Sequence, residues 1–414
     1  MALDQAMAPT LARGGSRLRR SEFIGMLAGL MAINSLAIDI MLPAFPNMAD
    51  YYGLTDVNDV QYVLLTYIIG FGLAQLGFGP ISDRYGRRRP MFVGMVLYIA
   101  CAAVGAVAPT FGILLTARFF QGIGAAATRI ICLSIIRDTH SGRQMASIMS
   151  LVMMIFMIVP VLAPLTGQVL IMVGHWQLIF VFMAVLSLMI TLWTYARMPE
   201  TLADKNRRSL SLRSVTEAFR MVLTNRLAFC YAAATAFFFG ALFAFLNCAE
   251  QVYVGIYHLG AWFPVVFSLV AMLMAVSNFG NSVLVGRIGQ RRLSHAALSL
   301  YAVMALILLA LAASGPVPFW LFITIIAIMM PLFGWVSANF NSIAMEPLGA
   351  VAGTASAVLG FTQTAGGGII GAWIGQAFDG TILPLAAGFA VLSAIALIFV
   401  LIGEKGRLFG VGTN

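Results

Sequence analysis

The sequence predicts an all-α membrane protein with twelve transmembrane helices. Of the 414 residues, 61% are hydrophobic and only 9% are charged, and the mean hydropathy is +0.95. A water-soluble chain of this composition would expose far too much apolar surface. The apolar segments long enough to cross a bilayer are 23–45, 61–82, 91–109, 112–136, 144–172, 176–196, 227–252, 262–286, 294–313, 317–345, 350–376 and 382–403.

The basic residues predict how the chain is oriented. The chain has 24 Lys and Arg against 15 Asp and Glu, a net charge of +9. Apart from Arg118 and Arg129, the basic residues fall in the two terminal tails and in the loops after even-numbered helices. Because positively charged loops stay in the cytoplasm, we expect both termini and these loops to be cytoplasmic. The charge then reflects topology, and we expect no nucleic-acid partner.

One long hydrophilic interruption divides the chain into two halves. We expect a cytoplasmic tail at 1–22, a six-helix bundle at 23–197, a cytoplasmic linker at 198–226, a second six-helix bundle at 227–403 and a C-terminal tail at 404–414. The linker is rich in basic residues, and its part around 212–223 is expected to form an amphipathic helix at the membrane interface.

The halves also repeat each other. The pattern Arg84-x-Gly86 after helix 2 returns as Arg287-x-Gly289 after helix 8, 203 positions later. The same offset carries the proline-rich part of helix 5 onto the glycine-rich part of helix 11. Two weak matches at one offset predict a duplicated six-helix unit.

Proline and glycine punctuate helices 5 and 11. Helix 5 contains Pro160, Pro164 and Gly167, and helix 11 contains Gly367 and Gly371. Within a membrane helix these residues indicate a kink or close packing against a neighbouring helix. We expect both helices to make such packing contacts.

A few polar residues lie inside the apolar segments. Asp39 lies about seven residues inside the outer end of helix 1, on the same face as Ser35, and a buried acid is a functional candidate because it is costly. On helix 4, Arg118, Gln121 and Arg129 share one face. Arg118 lies at a depth similar to that of Asp39, so the two can pair if helices 1 and 4 are neighbours.

Further cavity candidates come from the second half. Asn247 and Glu250 lie near the outer end of helix 7, and Asn339 lies in helix 10. Glu250 is either a hydrated outer-loop acid or a second titratable site. Arg129 either extends to cytoplasmic water or projects into the cavity, where it would select an anionic or strongly polar substrate.

The stretch from Gly79 to Pro90 joins helices 2 and 3 by a charged turn. Gly86 permits a tight turn, and Pro90 suits the first turn of a helix. The spacing resembles the signature that follows helix 2 in the major facilitator superfamily. The residues that fit it are Gly79, Asp83, Arg84, Gly86, Arg87 and Arg88. The resemblance implies a conformational latch between helix 2, helix 11 and the cytoplasmic ends of neighbouring helices.

The chain is most similar to the bicyclomycin/chloramphenicol-resistance branch of drug:proton antiporters in this superfamily. The segments that carry the resemblance are Ile38-Asp39 with Leu42-Pro43-Ala44, Arg118 to Gly124, Arg137-Asp138 and Ala352 to Ser356. The antiporter motif of helix 5 is matched only in part, because Ala163 and Gln168 stand at glycine positions. The resemblance implies that Asp39 exchanges protons and substrate, with support from Arg118.

This resemblance implies export of a small organic compound by alternating access in the bacterial cytoplasmic membrane. The proton gradient would supply the energy, and we expect a monomer with no cofactor and no metal. A proton symporter or uniporter for an anionic metabolite or siderophore-type compound is the alternative, and a permanently ionised Asp39 paired with Arg118 is the alternative role for that acid. A membrane enzyme or channel is disfavoured, since the sequence lacks catalytic motifs and filter-like loops.

Overall fold

A computed structural model describes residues 18–140, 142–202, 207 and 212–410. Most of the expected N-terminal tail therefore lies outside the described residues, as do residues 203–206 and 208–211 of the linker and the last four residues of the C-terminal tail. Within the described part, eleven spans are long and apolar enough to cross a membrane, and the helix that contains the apolar run Ile158–Val173 is the twelfth. The prediction of a twelve-helix membrane protein is confirmed.

The membrane helices follow the predicted order. Helices 1 to 6 are Arg20–Asp39, Tyr62–Tyr85, Arg88–Ala106, Phe111–Thr139, Gly142–Val173 and Gln177–Arg197. Helices 7 to 10 are Arg226–Glu250, Phe263–Ile288, Gln290–Ser314 and Phe319–Met345. Helix 11 consists of Ala352–Phe361, a π-helical turn at Thr362–Gly366 and Gly367–Gln376, and helix 12 is Leu383–Gly403. A linker helix covers Leu212–Thr224, as predicted.

Helix 1 ends earlier than its apolar segment suggests. The chain leaves the α-helix after Asp39, makes a 3₁₀ turn at Leu42–Ala44 and continues as a short helix at Phe45–Tyr52. Pro43 explains this break, since proline has no backbone N–H to continue the α-helix. Asp39 therefore occupies the last turn of helix 1, beside a break in the backbone.

Close glycine contacts confirm the internal repeat. A Cβ on Gly167 of helix 5 would strike the carbonyl oxygen of Ile40 at the end of helix 1. A Cβ on Gly371 of helix 11 would lie 2.5 Å from Cβ of Phe243 and 2.7 Å from N of Ala244 in helix 7. Ile40 and Phe243 are 203 positions apart and Gly167 and Gly371 are 204 apart, within one residue of the offset of the sequence repeat. Both halves thus pack their fifth helix on their first in the same way.

Helix 5 is unbroken at its two prolines, while helix 11 is packed closely along its glycines. Pro160 and Pro164 both lie within the single helix Gly142–Val173. On helix 11, a Cβ at Gly367 would approach Cβ of Phe239 to 2.7 Å. Close packing is therefore the role that the structure supports for the glycines.

The two halves meet along helices 2 and 11 and along helices 5 and 8. We call the side with the arginine-rich connections cytoplasmic, as the sequence predicts, and the opposite side outer. Near the middle of helix 2, a Cβ at Gly72 would lie 2.8 Å from Cβ of Ala365, whereas two turns further toward the cytoplasm no atom lies within 4 Å of such a Cβ at Gly79. The halves are thus in close contact at the middle of helix 2, and within the described part of the chain the surface of helix 2 at Gly79 is open.

Candidate functional site

Asp39 is a buried acid without a polar partner. Its residue surface is only 6% exposed. Among the residues that the structure describes, none donates a hydrogen bond to its carboxyl group or forms an ion pair with it. Its surroundings in the last turn of helix 1 include the close contact between Ile40 and Gly167 of helix 5. A carboxyl group in such a place is costly when charged and much less so when it carries a proton.

Arg118 is completely buried, and each of its three guanidinium nitrogens donates a hydrogen bond. Its Nε donates to the carbonyl oxygen of Val63 (3.2 Å), Nη1 to Oε1 of Gln121 (2.7 Å) and Nη2 to the carbonyl oxygen of Ala37 (2.9 Å). The guanidinium also lies 4.3 Å from the ring centroid of Tyr67. Arg118 thus ties helix 4 to helices 1 and 2.

The sequence allowed an ion pair between Asp39 and Arg118 if helices 1 and 4 are neighbours, and this ion pair is not found among the described residues. Helices 1 and 4 are neighbours, but the guanidinium is taken by the carbonyl of Ala37, two residues before the acid. The planar fork of arginine matches the converging carbonyls of two helices, so the cation is neutralised by dipoles and a ring rather than by a carboxylate. The reading of Asp39 as an ion-pair partner of Arg118 is therefore wrong for this conformation.

Beside Arg118, a hydrogen bond between Tyr67 of helix 2 and Asn34 of helix 1 was not predicted from the sequence. Tyr67 of helix 2 donates from its hydroxyl group to Oδ1 of Asn34 (2.9 Å), and the ring of Tyr67 lies beneath Arg118. Ser35, a cavity candidate, is the next residue on helix 1 and is buried. A tyrosine within an apolar run gives no distinctive signal, because most such tyrosines only pack.

The remaining cavity candidates differ in their hydrogen bonding. Asn339 donates to Oδ1 of Asn281 (2.9 Å) and to the carbonyl oxygen of Trp335 (2.7 Å), so it fastens helix 10 to helix 8 within the second half. Asn247 is buried, and its Oδ1 has no hydrogen-bond partner. Glu250 is 7% exposed at the end of helix 7 and has no hydrogen bond or ion pair with any described residue. Glu250 is thus a buried acid and not a hydrated loop residue.

Arg129 differs from the other arginines of the membrane region. It is half-buried on helix 4, and its guanidinium lies 5.9 Å from the ring centroid of Phe71 on helix 2. No carboxylate or carbonyl in the described part of the chain accepts a hydrogen bond from it. Its charge is left without an anionic partner.

The predicted latch forms a cluster on the cytoplasmic face of the first half. Arg87 bonds to Asp83 (2.6 Å) and to Asp138 at the end of helix 4 (2.7 Å). The carboxylate of Glu200, beyond helix 6, accepts from the backbone N of Arg87 (2.8 Å) and of Arg88 (3.1 Å). The contacts found for Asp83 and Arg87 stay within the first half and do not extend to helix 11, contrary to what the resemblance implied.

Two other latch residues have different environments. Gly86 has φ +88°, and a Cβ there would lie 2.5 Å from Oε2 of Glu200, so both the turn and the carboxylate require glycine. Arg84 is exposed, and within the described ranges its resolved polar or ring contact is the ring of Tyr85, at 5.6 Å from the centroid. Burial lowers the pKa of the Arg87 guanidinium, but its hydrogen bonds to Asp138 and Asp83 outweigh this and raise the pKa overall.

A hydrogen-bonded outer clasp joins the halves at the opposite end. It consists of Asn58 and Gln61 before helix 2, Gln251 after helix 7, and Gln376 at the end of helix 11. Gln61 donates to Gln251 (3.0 Å), Gln251 to Oδ1 of Asn58 (2.6 Å) and Gln376 to the carbonyl oxygen of Asn58 (2.8 Å). No sequence argument found this clasp, since uncharged amides near loops are common and carry no motif.

Comparison with known proteins gives the same architecture. The profile of the Major Facilitator Superfamily matches residues 27–372. The uncharacterized MFS-type transporter YdgK of Bacillus subtilis is 30% identical over 387 residues, which cover 92% of this chain and 94% of that protein. A bicyclomycin resistance protein homolog of Haemophilus influenzae is 28% identical, with 91% and 96% coverage. Multidrug resistance protein D of Escherichia coli is 27% identical, with 86% and 88% coverage.

A solved structure agrees at the level of the fold. The crystal structure of the human organic anion transporter MFSD10 (TETRAN) superposes with a TM-score of 0.64 and 18% sequence identity, covering 93% of this chain and all of that one. The chain has twelve helices in two repeated six-helix halves, and the family profile matches most of its length. It therefore belongs to the Major Facilitator Superfamily and is a transporter rather than an enzyme.

Proposed function

We propose that the protein is a proton-coupled antiporter that exports small organic compounds across the bacterial cytoplasmic membrane by alternating access. Its relatives named for bicyclomycin resistance and multidrug resistance, similar over nearly the whole chain, support efflux as the direction. Those relatives are bacterial, which supports the location. We further propose that one chain suffices, since each monomer carries both halves of the cavity.

The observation that carries the proposal is the unpaired carboxyl group of Asp39. An acid that were permanently ionised at this depth would need a cation or several hydrogen-bond donors, and the described residues supply neither. A group that alternates between a protonated and a charged form needs no fixed partner. Asp39 is therefore the proton carrier of this proposal.

Arg118 acts as a positioning residue. Its bonds to the carbonyls of Ala37 and Val63 hold the end of helix 1 against helices 2 and 4. Opening to the cytoplasm would hydrate the acid and release its proton, and opening to the outside after the clasp breaks would let it accept another.

The proposed cycle assigns a role to each end of the molecule. In the inward-facing state, substrate enters between the halves from the cytoplasm while Asp39 loses its proton. The outer clasp then opens as the cytoplasmic ends close. Substrate leaves to the outside, and a proton from the outside neutralises Asp39 before the return step.

Proteoliposome flux with an imposed pH gradient tests the proposal. With bicyclomycin as the transport probe, the reconstituted protein should move the probe in the direction opposite to the flow of protons. Asp39→Asn should abolish this gradient-driven transport while still allowing exchange of labelled for unlabelled probe. Asp50→Asn is the matched control, because Asp50 is an exposed acid of the short outer helix and should be dispensable. Gradient-driven transport that survives in Asp39→Asn would contradict the proposal.

The same assay separates the alternative modes. Uptake in the same direction as the proton would indicate a symporter, and flux that ignores the pH gradient would indicate a uniporter. The unpaired Asp39 favours coupling over uniport, because a uniporter has no use for a titrating acid. The direction of coupling then follows from the sign of the gradient that drives flux.

A further inference from the structure

We propose that Arg129 is the anion-recognition residue of the substrate cavity, and that the transported compound carries a carboxylate or a similar anionic group beside an apolar body. This inference rests on the proposed transport function, since it concerns the substrate of the same cavity. It makes Arg129 a specificity-determining residue, separate from the proton carrier Asp39.

The first argument is that the charge of Arg129 is not compensated. The other buried or half-buried arginines with resolved contacts have oxygen partners. Arg118 has two carbonyls and an amide oxygen, Arg87 has Asp83 and Asp138, and Arg291 has Glu346 and Glu404. Among the described residues, Arg129 has the ring of Phe71 as its one resolved contact of this kind. A guanidinium in a membrane protein without an oxygen partner is costly. Binding of an anionic group beside Arg129 is therefore favourable.

The second argument is position. Arg129 lies ten residues before Thr139, where helix 4 ends, which corresponds to about 15 Å along the helix axis. An arginine side chain cannot span that distance, so Arg129 does not reach the cytoplasmic membrane surface by extending along its helix. Arg129 is nevertheless partly exposed, and we assign this exposure to the space between the halves.

The third argument is the neighbourhood of Phe71. The residue after Phe71 is Gly72, which packs against Ala365 of helix 11 in the other half. Arg129 therefore lies near the interface between the halves, eleven residues closer to the cytoplasm along helix 4 than Arg118. In the proposed transport cycle, a substrate that enters from the cytoplasm meets this level before the level of Asp39.

Two aromatic rings lie between Arg129 and Arg118. Phe71 stacks on Tyr67 with a centroid distance of 6.4 Å and an interplanar angle of 8°. Tyr67 in turn lies under Arg118. Helices 2 and 4 thus present two cations separated by a pair of stacked rings. An anionic compound with an aromatic body would place its charge on Arg129 and its body along these rings.

The test compares two probes of the same shape and different charge, 2-naphthoate and 2-naphthamide, by equilibrium binding to the purified full-length protein. We expect the wild-type protein to bind the carboxylate at least tenfold more tightly than the amide. Arg129→Ala should weaken naphthoate binding about tenfold or more while leaving naphthamide unchanged. Arg129→Lys should bind naphthoate with an affinity between those of the wild type and of Arg129→Ala, because lysine keeps the charge but loses the forked geometry.

The matched control is Arg137→Ala, which removes an exposed arginine eight positions further along the same helix and should not change the preference. Size-exclusion profiles and recovery in Arg129→Lys show that the protein is folded. A wild-type protein that does not prefer naphthoate, or an Arg129→Ala variant that weakens both probes equally, would overturn the inference. Because binding is measured without a pH gradient, this result is independent of whether Asp39 couples transport to protons.

Discussion

Nη2 of Arg118 donates to the carbonyl oxygen of Ala37 at 2.9 Å, and the carboxylate of Asp39 two residues later receives no such bond. The most buried cation of the first half is therefore satisfied by backbone, and the acid beside it is left free. A fixed ion pair would hold Asp39 ionised and hinder proton exchange. By binding the backbone instead, Arg118 fixes the end of helix 1 without immobilising the charge of the acid.

The first prediction is that Arg118 and Asp39 contribute independently to stability. Arg118→Ala removes three hydrogen bonds and takes the Arg118 donor away from the carbonyl of Ala37 and from Oε1 of Gln121, so we expect a loss of about 3 kcal/mol or more. Asp39→Asn should leave the folded protein close to wild type in thermal stability, since no partner is lost. Melting temperatures in detergent measure both.

The double variant distinguishes this arrangement from an ion pair. If Asp39 and Arg118 were paired, Asp39→Asn would relieve an unpaired charge in Arg118→Ala and restore part of its stability. The structure predicts additive effects with no recovery. A double variant clearly more stable than Arg118→Ala alone would show that the pair forms.

The sequence predicted the elements better than their partners. Apolar length and loop charge located all twelve helices, and the motif after helix 2 identified the family, because both signals depend on composition or on residues close together in the chain. Which atom neutralises Arg118 depends on two helices distant in sequence. The sequence therefore located Asp39 and Arg118 inside the membrane region, while the pairing that it allowed between them is not found in the structure.

The second prediction concerns the outer clasp. Asn58→Ala removes the acceptor of Gln251 and the donor to the carbonyl oxygen of Phe378 (3.0 Å). At about 0.5–1.5 kcal/mol for each hydrogen bond, this should shift the equilibrium toward the outward-facing state roughly 5- to 150-fold. Labelling of a cysteine at position 35 by an external maleimide, in a protein without its four native cysteines, reports the shift.

The control for the clasp is Asp379→Ala. Asp379 is another outer-side residue, but its carboxylate bonds only to Thr381 in the same loop. Its removal should leave labelling at position 35 unchanged. Equal labelling in Asn58→Ala and wild type would show that these amides do not hold the outer side closed.

The third prediction contrasts two arginines of the latch. Arg87→Ala leaves Asp138 and Asp83 without their partner and should slow turnover and lower the melting temperature. Arg84→Ala, three positions earlier and exposed, should resemble wild type. The latch biases conformations without touching substrate, so probe affinity in a fixed state should be the same in both variants. Affinity lost in Arg87→Ala would argue against this division of roles.

The pH dependence of the latch follows from the raised pKa of Arg87. A cation whose folded-state pKa lies above its unfolded value stabilises the protein fully below the unfolded pKa, and the contribution is lost only as the pH rises through the folded value. For arginine both values lie above about 12. The difference in melting temperature between wild type and Arg87→Ala should therefore show no loss between neutral pH and about pH 9 from titration of Arg87.

The fourth prediction uses two glycines that the sequence could not distinguish. Gly167→Ala forces a methyl group against the carbonyl of Ile40 and should cost about 1–3 kcal/mol. Gly79→Ala meets no atom within 4 Å and should fold normally. Both belong to recognisable motifs, and only the packed structure shows which one bears a contact. Equal destabilisation in the two variants would contradict this packing.

The fifth prediction concerns charge movement. If one monovalent anion leaves for each proton that enters, two elementary charges move in the same sense in every cycle. The membrane potential then contributes about 4.6 kcal/mol per 100 mV, against about 2.3 kcal/mol for a neutral substrate. Proteoliposomes clamped with potassium and valinomycin should export a carboxylated probe faster at inside-negative potential, with about twice the charge per transported molecule that a neutral probe shows. Equal charge per molecule for the two probes would mean that the anion is neutralised before it crosses.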